Sequence, residues 1–111
     1  MTMTPPQAAI YKRLLAAARA IGPVKEDPKK TSIHLARRSA FAGVATRKDA
    51  LLLTIKAAAD ISSPRIVKRQ HTSANRWYLD VRLEKTSDVD RELKAWLKDA
   101  MALSSSQAEA R

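Results

Sequence analysis

Residues 76–85, which read RWYLDVRLEK, alternate polar and apolar side chains from Arg76 to Glu84. The apolar set is Trp77, Leu79, Val81 and Leu83, and the polar set is Tyr78, Asp80, Arg82 and Glu84. A period of two is typical of a β-strand that is buried on one face and solvated on the other, as is common in antiparallel sheets. This stretch therefore predicts an antiparallel sheet with one face against a core and one face open to water.

The same period recurs towards the N-terminus in three further segments. Residues 32–35 and 51–56 alternate in the same way, and residues 65–72, RIVKRQHT, form a shorter and more polar candidate strand. Turn-forming or charged residues separate the segments, at positions 29–30, 37–39, 46–49, 62–64 and 73–75. Connections this short predict hairpins, and hence a meander of about five antiparallel strands.

Before the strands, the pattern is that of a helix. A Pro-Pro pair at positions 5–6 suits the first turn of a helix, where a missing N–H costs little. Apolar residues then recur at helical spacing until Gly22 and Pro23, which are typical of a helix end. The first helix is therefore predicted over residues 6–20.

After the strands, the period returns to 3.6 residues. An apolar stripe that includes Trp96 predicts a second helix over residues 88–102. Ser87 is its predicted cap, and Asp88 and Asp90 are expected in its first turn, where carboxylates interact favourably with the helix dipole.

Two helices at the chain ends and a meander between them predict an α+β fold, a two-layer sandwich with both helices on one face of the sheet. We expect residues 1–103 to form a single domain and residues 104–111 to form a flexible polar tail. Both tryptophans lie on apolar stripes and are expected in the core, in contact with each other. The sheet residues predicted to face the helices are Ile33, Leu35, Leu53, Ile55, Trp77, Leu79 and Val81.

Size and composition predict one small cytoplasmic domain. The chain has 111 residues, of which 45% are hydrophobic and 29% charged, and it contains no cysteine, which fits a reducing compartment. The N-terminus has no secretory signal pattern, and no apolar run approaches the roughly 20 residues that a membrane span requires. We therefore expect no membrane contact.

No motif in the sequence supports catalysis. His34 and His71 lack metal-ligand spacing, and no serine lies in a nucleophile elbow. The only two glycines, Gly22 and Gly43, are too few for a glycine-rich phosphate loop. The sequence therefore predicts a protein that is not an enzyme and that binds no metal or cofactor.

Positive charge is concentrated in the middle of the chain. The net charge is +10, and residues 12–82 carry 16 basic and 5 acidic side chains, against 5 and 6 in residues 83–111. In a meander every second turn lies at the same end of the sheet, so that neighbouring hairpins are roughly 5–10 Å apart. Five cations are therefore expected at one end, Lys29, Lys30, Arg47, Lys48 and Arg76, and three at the other, Arg37, Arg38 and Arg65.

The five-cation cluster has two interpretations, a solubilising rim or a phosphate-binding rim. The second predicts a non-enzymatic domain that binds the DNA or RNA backbone with little sequence specificity, with Arg37 and Arg38 extending the path. A rival of another class is a protein-interaction or homodimerisation module that uses the open sheet face or an edge strand, because alternation places Leu52 on the open face beside Val44. A third is a small-anion pocket between the second helix and the sheet.

The open face itself is predicted to carry charges of both signs and a single aromatic ring, Tyr78, which disfavours a base-stacking platform. Mixed signs on a solvated face are typical of cross-strand pairs. The side chains expected on this face are His34, Lys56, Lys68, Tyr78, Asp80, Arg82 and Glu84.

The stretches AIGPVKEDPKKTSIHLARRSAFAGVATRKDALLLTIK (residues 20–56) and SDVDRELKAWLKDA (residues 87–100) resemble an uncharacterised bacterial family, catalogued as a domain of unknown function. The resemblance covers about residues 8–103. Members look like stand-alone small proteins or C-terminal domains that follow a predicted restriction-type nuclease domain, and some are labelled "predicted transport protein". The resemblance implies a nucleic-acid context and carries over no catalytic residue.

Overall fold

The computed structural model describes residues 3–105, except for the side chain of Ser105. Along the chain lie α1 (Pro5–Ile21), β1 (Lys25–Pro28), β2 (Ile33–Ala36), β3 (Ala40–Arg47), β4 (Ala50–Ala57), β5 (Ile66–Ser73), β6 (Arg76–Leu83), a 3₁₀ turn (Thr86–Asp88) and α2 (Arg91–Ser105). The strands form one antiparallel sheet in the order β1-β2-β3-β4-β6-β5. The predicted α+β fold is confirmed, with six strands instead of about five. The predicted tail falls mainly on residues 106–111, which lie outside the described residues.

Both helices lie on one face of the sheet and enclose a single core. Leu79, Val81 and Leu83 of the opening stretch are fully buried, and α1 and α2 contribute buried residues such as Leu14 and Leu97. The remaining residues that were predicted to face the core, and both tryptophans, are either buried or packed against the core. They are Ile33, Leu35, Leu53, Ile55, Trp77 and Trp96. Neither helix in residues 3–105 is long and apolar enough to cross a membrane.

α1 extends one residue beyond its predicted range at each end, and its first turn is fixed by a reciprocal capping box. The Thr4 Oγ1 accepts a hydrogen bond from the Gln7 backbone N–H (3.3 Å), and the Gln7 Oε1 accepts one from the Thr4 N–H (2.9 Å). At the other end the Gly22 N–H bonds the Ala18 carbonyl (3.2 Å). The box directs the amide nitrogen of Gln7 towards the sheet.

α2 begins three residues later than predicted, because the chain first makes the 3₁₀ turn. Asp90 is the cap, since its Oδ1 accepts a hydrogen bond from the Leu93 N–H (3.0 Å). Asp88 instead accepts hydrogen bonds from two backbone N–H groups that precede the turn. The prediction of Ser87 as the cap, with both aspartates inside the helix, was therefore wrong.

The sheet departs from a simple meander after β4. β4 pairs with β6, so that Leu53 lies opposite Val81, and β5 pairs with β6 at the edge of the sheet. The connection of residues 58–65 joins β4 to β5 and leaves the position between these two strands to β6. β5 therefore runs in the same direction as β4, and the β5–β6 turn lies at the opposite end from the β3–β4 turn. The meander prediction is correct for β1 to β4 and wrong for β5 and β6.

Candidate functional site

The turn between β1 and β2 places Lys29 and Lys30 at one end of the sheet. It is closed by a hydrogen bond from the Lys29 N–H to the Ser32 carbonyl (2.7 Å). The Lys29 Nζ also lies 2.9 Å from the Asp27 Oδ2, and this hydrogen bond lowers the pKa of the Asp27 carboxyl. Both side chains are about half exposed, and exposed pairs of this kind are weak, so Lys29 can exchange Asp27 for another anion.

The turn between β3 and β4 places Arg47 and Lys48 at the same end. Asp49 follows with a φ of 55°, in the left-handed region that aspartate tolerates better than most residues. Gln7 of α1 holds this turn, because its Nε2 donates hydrogen bonds to the carbonyls of Arg47 (2.7 Å) and Ala50 (3.1 Å). The first helix thus fixes a turn that carries two cations. The motif Thr-x-x-Gln is a sequence signal for the cap, but no local pattern predicts this contact with the turn.

We call Lys29, Lys30, Arg47 and Lys48 the basic rim. All four are exposed, and their two turns are separated by two strand spacings, about 10 Å. Within residues 3–105, no carboxylate lies within 4.0 Å of the charged nitrogens of Lys30, Arg47 or Lys48. The basic rim is therefore a surface of four charges of one sign, of which one has a carboxylate partner.

Arg82 supports the basic rim from the open face of β6. Its Nη2 donates a hydrogen bond to the Lys48 carbonyl (2.9 Å), and its Nε lies 2.7 Å from the Glu84 Oε2. Alternation predicted Arg82 on the open face, but not its contact with the β3–β4 turn. Because Glu84 balances its charge, we treat Arg82 as a support of the turn and not as a member of the rim.

Arg76 does not join the basic rim. It begins β6 at the opposite end of the sheet, so the prediction that groups it with Lys29 and Arg47 is wrong. Arg65, predicted for that opposite end, lies beside the start of α2 instead, with its Nη1 2.9 Å from the Asp90 Oδ1. The two arginines exchange ends because β5 occupies the edge and β6 the position next to β4.

Arg37 and Arg38 lie in the β2–β3 turn at the end opposite to the basic rim, as predicted. The Arg37 guanidinium packs over Gly22, where an added Cβ would lie 3.3 Å from its carbon. β3 has eight residues, so the two basic ends are about 25 Å apart. The protein therefore carries two separate sets of cations, one at each end of β3.

One row of residues crosses the open face between these ends. His34, Gly43, Thr54, Asp80 and Lys68 lie opposite one another on successive strands. The Thr54 Oγ1 donates a hydrogen bond to the Asp80 Oδ1 (2.6 Å). The face therefore has the mixture of signs that the sequence predicts.

Two predictions about the open face are wrong. Lys56 is not displayed there, because it is only 8% exposed and its Nζ lies 3.3 Å from the Ser104 Oγ at the C-terminal end of α2, where a cation interacts favourably with the helix dipole. Val44 does not lie beside Leu52. It is fully buried on the core face, and Leu52 lies opposite Ala45.

Arg65 forms a cluster that links β5 to α2. Its Nη1 lies within 3.1 Å of the carboxylates of Asp90 and Glu92, its Nη2 donates to the Asp88 carbonyl (2.8 Å), and its Cζ lies 5.5 Å from the centroid of the Trp96 ring. Burial lowers the pKa of the guanidinium, but the hydrogen bonds to the two carboxylates outweigh it and raise the pKa. With its charge compensated in this way, Arg65 is a structural link.

A groove of about 410 Å³ lies between α2 and the end of β4, where a small-anion pocket was one of the expectations. Asp60 and Asp99 line it, together with Lys56 and the ring of Trp96. Two carboxylates oppose the binding of an anion there. In the described part of the chain, no group of three or more His, Asp or Glu side chains is arranged to hold a metal ion.

Comparison with protein families matches residues 4–104 to the family described as "Domain of unknown function (DUF5655)". The match extends over the sheet and nearly all of both helices. No curated protein and no solved structure matches the chain. The comparison therefore concerns the whole fold and assigns a role to no particular residue.

Proposed function

The chain belongs to this family of unknown function, and we propose that it binds the phosphate backbone of nucleic acid through the basic rim, with little dependence on base sequence. One observation carries the proposal. Two hairpin turns at the same end of the sheet present four exposed cations, and three of them have no carboxylate within 4.0 Å among the described residues.

The chemistry of the basic rim suits phosphate and not base edges. Exposed Lys and Arg side chains that lack a carboxylate partner break no ion pair when they contact phosphate. The release of counterions from the nucleic acid then favours the complex. Phosphate contacts carry no sequence information, and the rim consists of turn residues and not of a helix or ribbon that would enter a groove of DNA. The expected complex is therefore salt-sensitive and sequence-tolerant.

The proposed role is that of a non-enzymatic accessory domain in the cytoplasm. The resemblance to C-terminal domains that follow predicted restriction-type nuclease domains supports a nucleic-acid context, as an analogy between families. In that setting a sequence-tolerant domain would hold the polymer near a partner that acts on it.

A salt titration tests the proposal. If four phosphates are contacted, the logarithm of the binding constant for duplex DNA should fall against the logarithm of salt concentration with a slope of about −3.6. Electrophoretic shift or fluorescence anisotropy measures this from about 50 mM salt upwards. A slope near zero, or no binding at the lowest salt concentration, contradicts the proposal.

Charge reversal at the basic rim tests the location. Arg47→Glu combined with Lys48→Glu should weaken binding to all sequences alike, because it replaces two phosphate contacts with repulsion. The matched control is Lys94→Glu with Lys98→Glu, which makes the same change in net charge at exposed positions of α2. Equal losses in both double variants would show that net charge matters and the basic rim does not.

A protein-interaction function is the second candidate, and β5 is the observation that favours it. This strand lies at the sheet edge, all of its residues after Ile66 are exposed, and Val67 is 58% exposed. An open edge can pair with a strand of another chain. Light scattering at two ionic strengths separates the candidates: a dimer that forms with concentration and ignores salt supports pairing at β5, and a monomer at every concentration contradicts homodimerisation.

A further inference from the structure

A groove of about 380 Å³ runs along β3 on the open face of the sheet. This volume is within the range of clefts that bind ligands. Residues 40–45 of β3 form its floor, where the small residues Gly43 and Ala45 lie on the open face. Larger side chains line it from the neighbouring chain segments, Ser32 and His34 on one side and Thr54 and Tyr78 on the other. No pattern in the sequence predicts this groove, because it depends on which strands neighbour β3.

Gly43 keeps the floor of the groove low, although the backbone does not require a glycine there. Its φ is not positive, and an added Cβ would make an ordinary contact of 3.7 Å with the His34 Cδ2. Glycine weakens the interior of a strand, and where it is found there it often marks a bulge, a tight bend or the close approach of a ligand or another backbone. Gly43 pairs with His34 outside the β2–β3 register shift, which lies between Leu35 and Ala36. A glycine with no conformational reason in the floor of an open groove therefore points to an occupant.

The charges around the groove indicate how that occupant lies. The basic rim is at one end of β3, and Arg37 and Arg38 are at the other. Asp80 stands beside Thr54 at one side of the groove, where it repels a phosphate and can accept a hydrogen bond from a base amino group. Phosphates are thus favoured at the two ends and neutral groups over the floor.

The sides of the groove suit flat, uncharged groups, because the imidazole ring of His34 lines it in addition to Tyr78, the single aromatic ring on which the sequence disfavours base stacking. The rings of His34 and Tyr78 border it from strands that lie about 14 Å apart, three strand spacings. Nucleobases stack on rings of this kind when they are unpaired, whereas a duplex keeps its bases stacked inside and presents only their edges. A duplex can therefore contact the basic rim but cannot fill the floor.

We propose that the groove holds the unpaired bases of a single-stranded nucleic acid that lies along β3, with its phosphates on the cations at both ends. The inference rests on the proposed function and adds to it the form of the polymer. β3 is long enough for a segment of about four nucleotides. The protein should therefore prefer a single strand to a duplex of the same sequence.

Fluorescence anisotropy with a labelled single strand of about 12 nucleotides and with its duplex, at one salt concentration, tests this. The wild-type protein should bind the single strand about tenfold more tightly. Gly43→Val, which fills the floor, should weaken single-strand binding about tenfold and leave duplex binding unchanged. Ser73→Val, at an exposed strand position outside the groove, is the matched control and should change neither.

The outcomes separate this inference from the proposed function. Equal wild-type affinities for the two forms, or an unchanged preference in a Gly43→Val protein with the wild-type circular dichroism spectrum, overturns the groove and leaves binding by the basic rim intact. Absence of binding to either form overturns both. If Gly43→Val does not fold, Tyr78→Ala takes its place, and it should lower single-strand affinity about tenfold by loss of stacking.

Discussion

Replacement of Gln7 by methionine should destabilise the protein by about 2–4 kcal/mol. Methionine keeps the length and the apolar stem of the side chain, which is only 5% exposed, but it removes three hydrogen bonds. These join the Oε1 to the Thr4 N–H and the Nε2 to the carbonyls of Arg47 and Ala50. Each hydrogen bond contributes about 1 kcal/mol, and somewhat more where the acceptor is buried, as at Ala50. A part of this loss is offset because methionine does not have to be desolvated as the polar amide does.

Urea denaturation followed by tryptophan fluorescence measures this loss, since Trp77 and Trp96 both pack against the core. The thermal midpoint should fall by about 10–20 °C. Gln70→Met is the matched control, because Gln70 is exposed on β5 and its replacement should change stability by less than about 0.5 kcal/mol. A loss of stability below about 1 kcal/mol for Gln7→Met, or equal losses in the two variants, would refute the inference that the Gln7 hydrogen bonds stabilise the β3–β4 turn.

Three further variants test the turn, the helix cap and the β5–α2 link. Asp49→Asn should raise the affinity of the basic rim for duplex DNA, because asparagine tolerates the φ of 55° and removes a negative charge, and anisotropy measures the change. The pKa of Asp90 is lowered by the Leu93 N–H and by Arg65, so the stability that its charged form adds is present above about pH 4 and is lost as the pH falls through the lowered value. Asp90→Asn keeps a good cap and should therefore flatten acid unfolding below about pH 4, which a pH series of denaturation curves measures. Arg65→Lys should cost about 1–2 kcal/mol in thermal denaturation, because an ammonium cannot bond two carboxylates and a carbonyl in the same geometry.

Each of these has an outcome that contradicts it. An affinity of Asp49→Asn at or below that of the wild type would show that the aspartate does not reduce the field of the basic rim. An unchanged acid profile in Asp90→Asn would show that another carboxyl governs it. A fully stable Arg65→Lys protein would show that the cation and not the shape of the guanidinium maintains the link.

Periodicity predicted which residues face the core, because a strand buried on one face has apolar side chains on that face. Periodicity could not predict the order of the strands in the sheet. Nothing in the alternation of residues 76–85 distinguishes a neighbour in β4 from one in β5. The length of the connection at residues 58–65 indicates that β4 and β5 are not paired as a hairpin, since hairpin loops usually have two to five residues and this connection is longer. β1, Lys25–Pro28, was missed for another reason: it is fully exposed and therefore has no apolar alternation to detect.

The basic rim was predictable to the extent that it depends on local order. Lys29, Lys30, Arg47 and Lys48 lie in turns of β1 to β4, where consecutive strands are neighbours and the meander geometry applies. Arg76 was misplaced because its end of the sheet depends on strand order. The contact of Gln7 with the rim joins positions 40 residues apart, and no local pattern encodes it.

A salt titration by itself does not separate duplex binding at the basic rim from single-strand binding along β3. Four contacts on a duplex give a slope of about −3.6, and six contacts on a single strand, with Arg37 and Arg38 added, give about −4.2, because each contact releases fewer counterions from a single strand. Arg38→Ala separates them, since it should make the single-strand slope shallower by about 0.7 and leave the duplex slope unchanged. Lys94→Ala, at an exposed position of α2, controls for the lost charge. If Arg38→Ala makes the duplex slope shallower as well, a duplex contacts both ends of the sheet. The β2–β3 turn then binds duplex DNA as well as single strands.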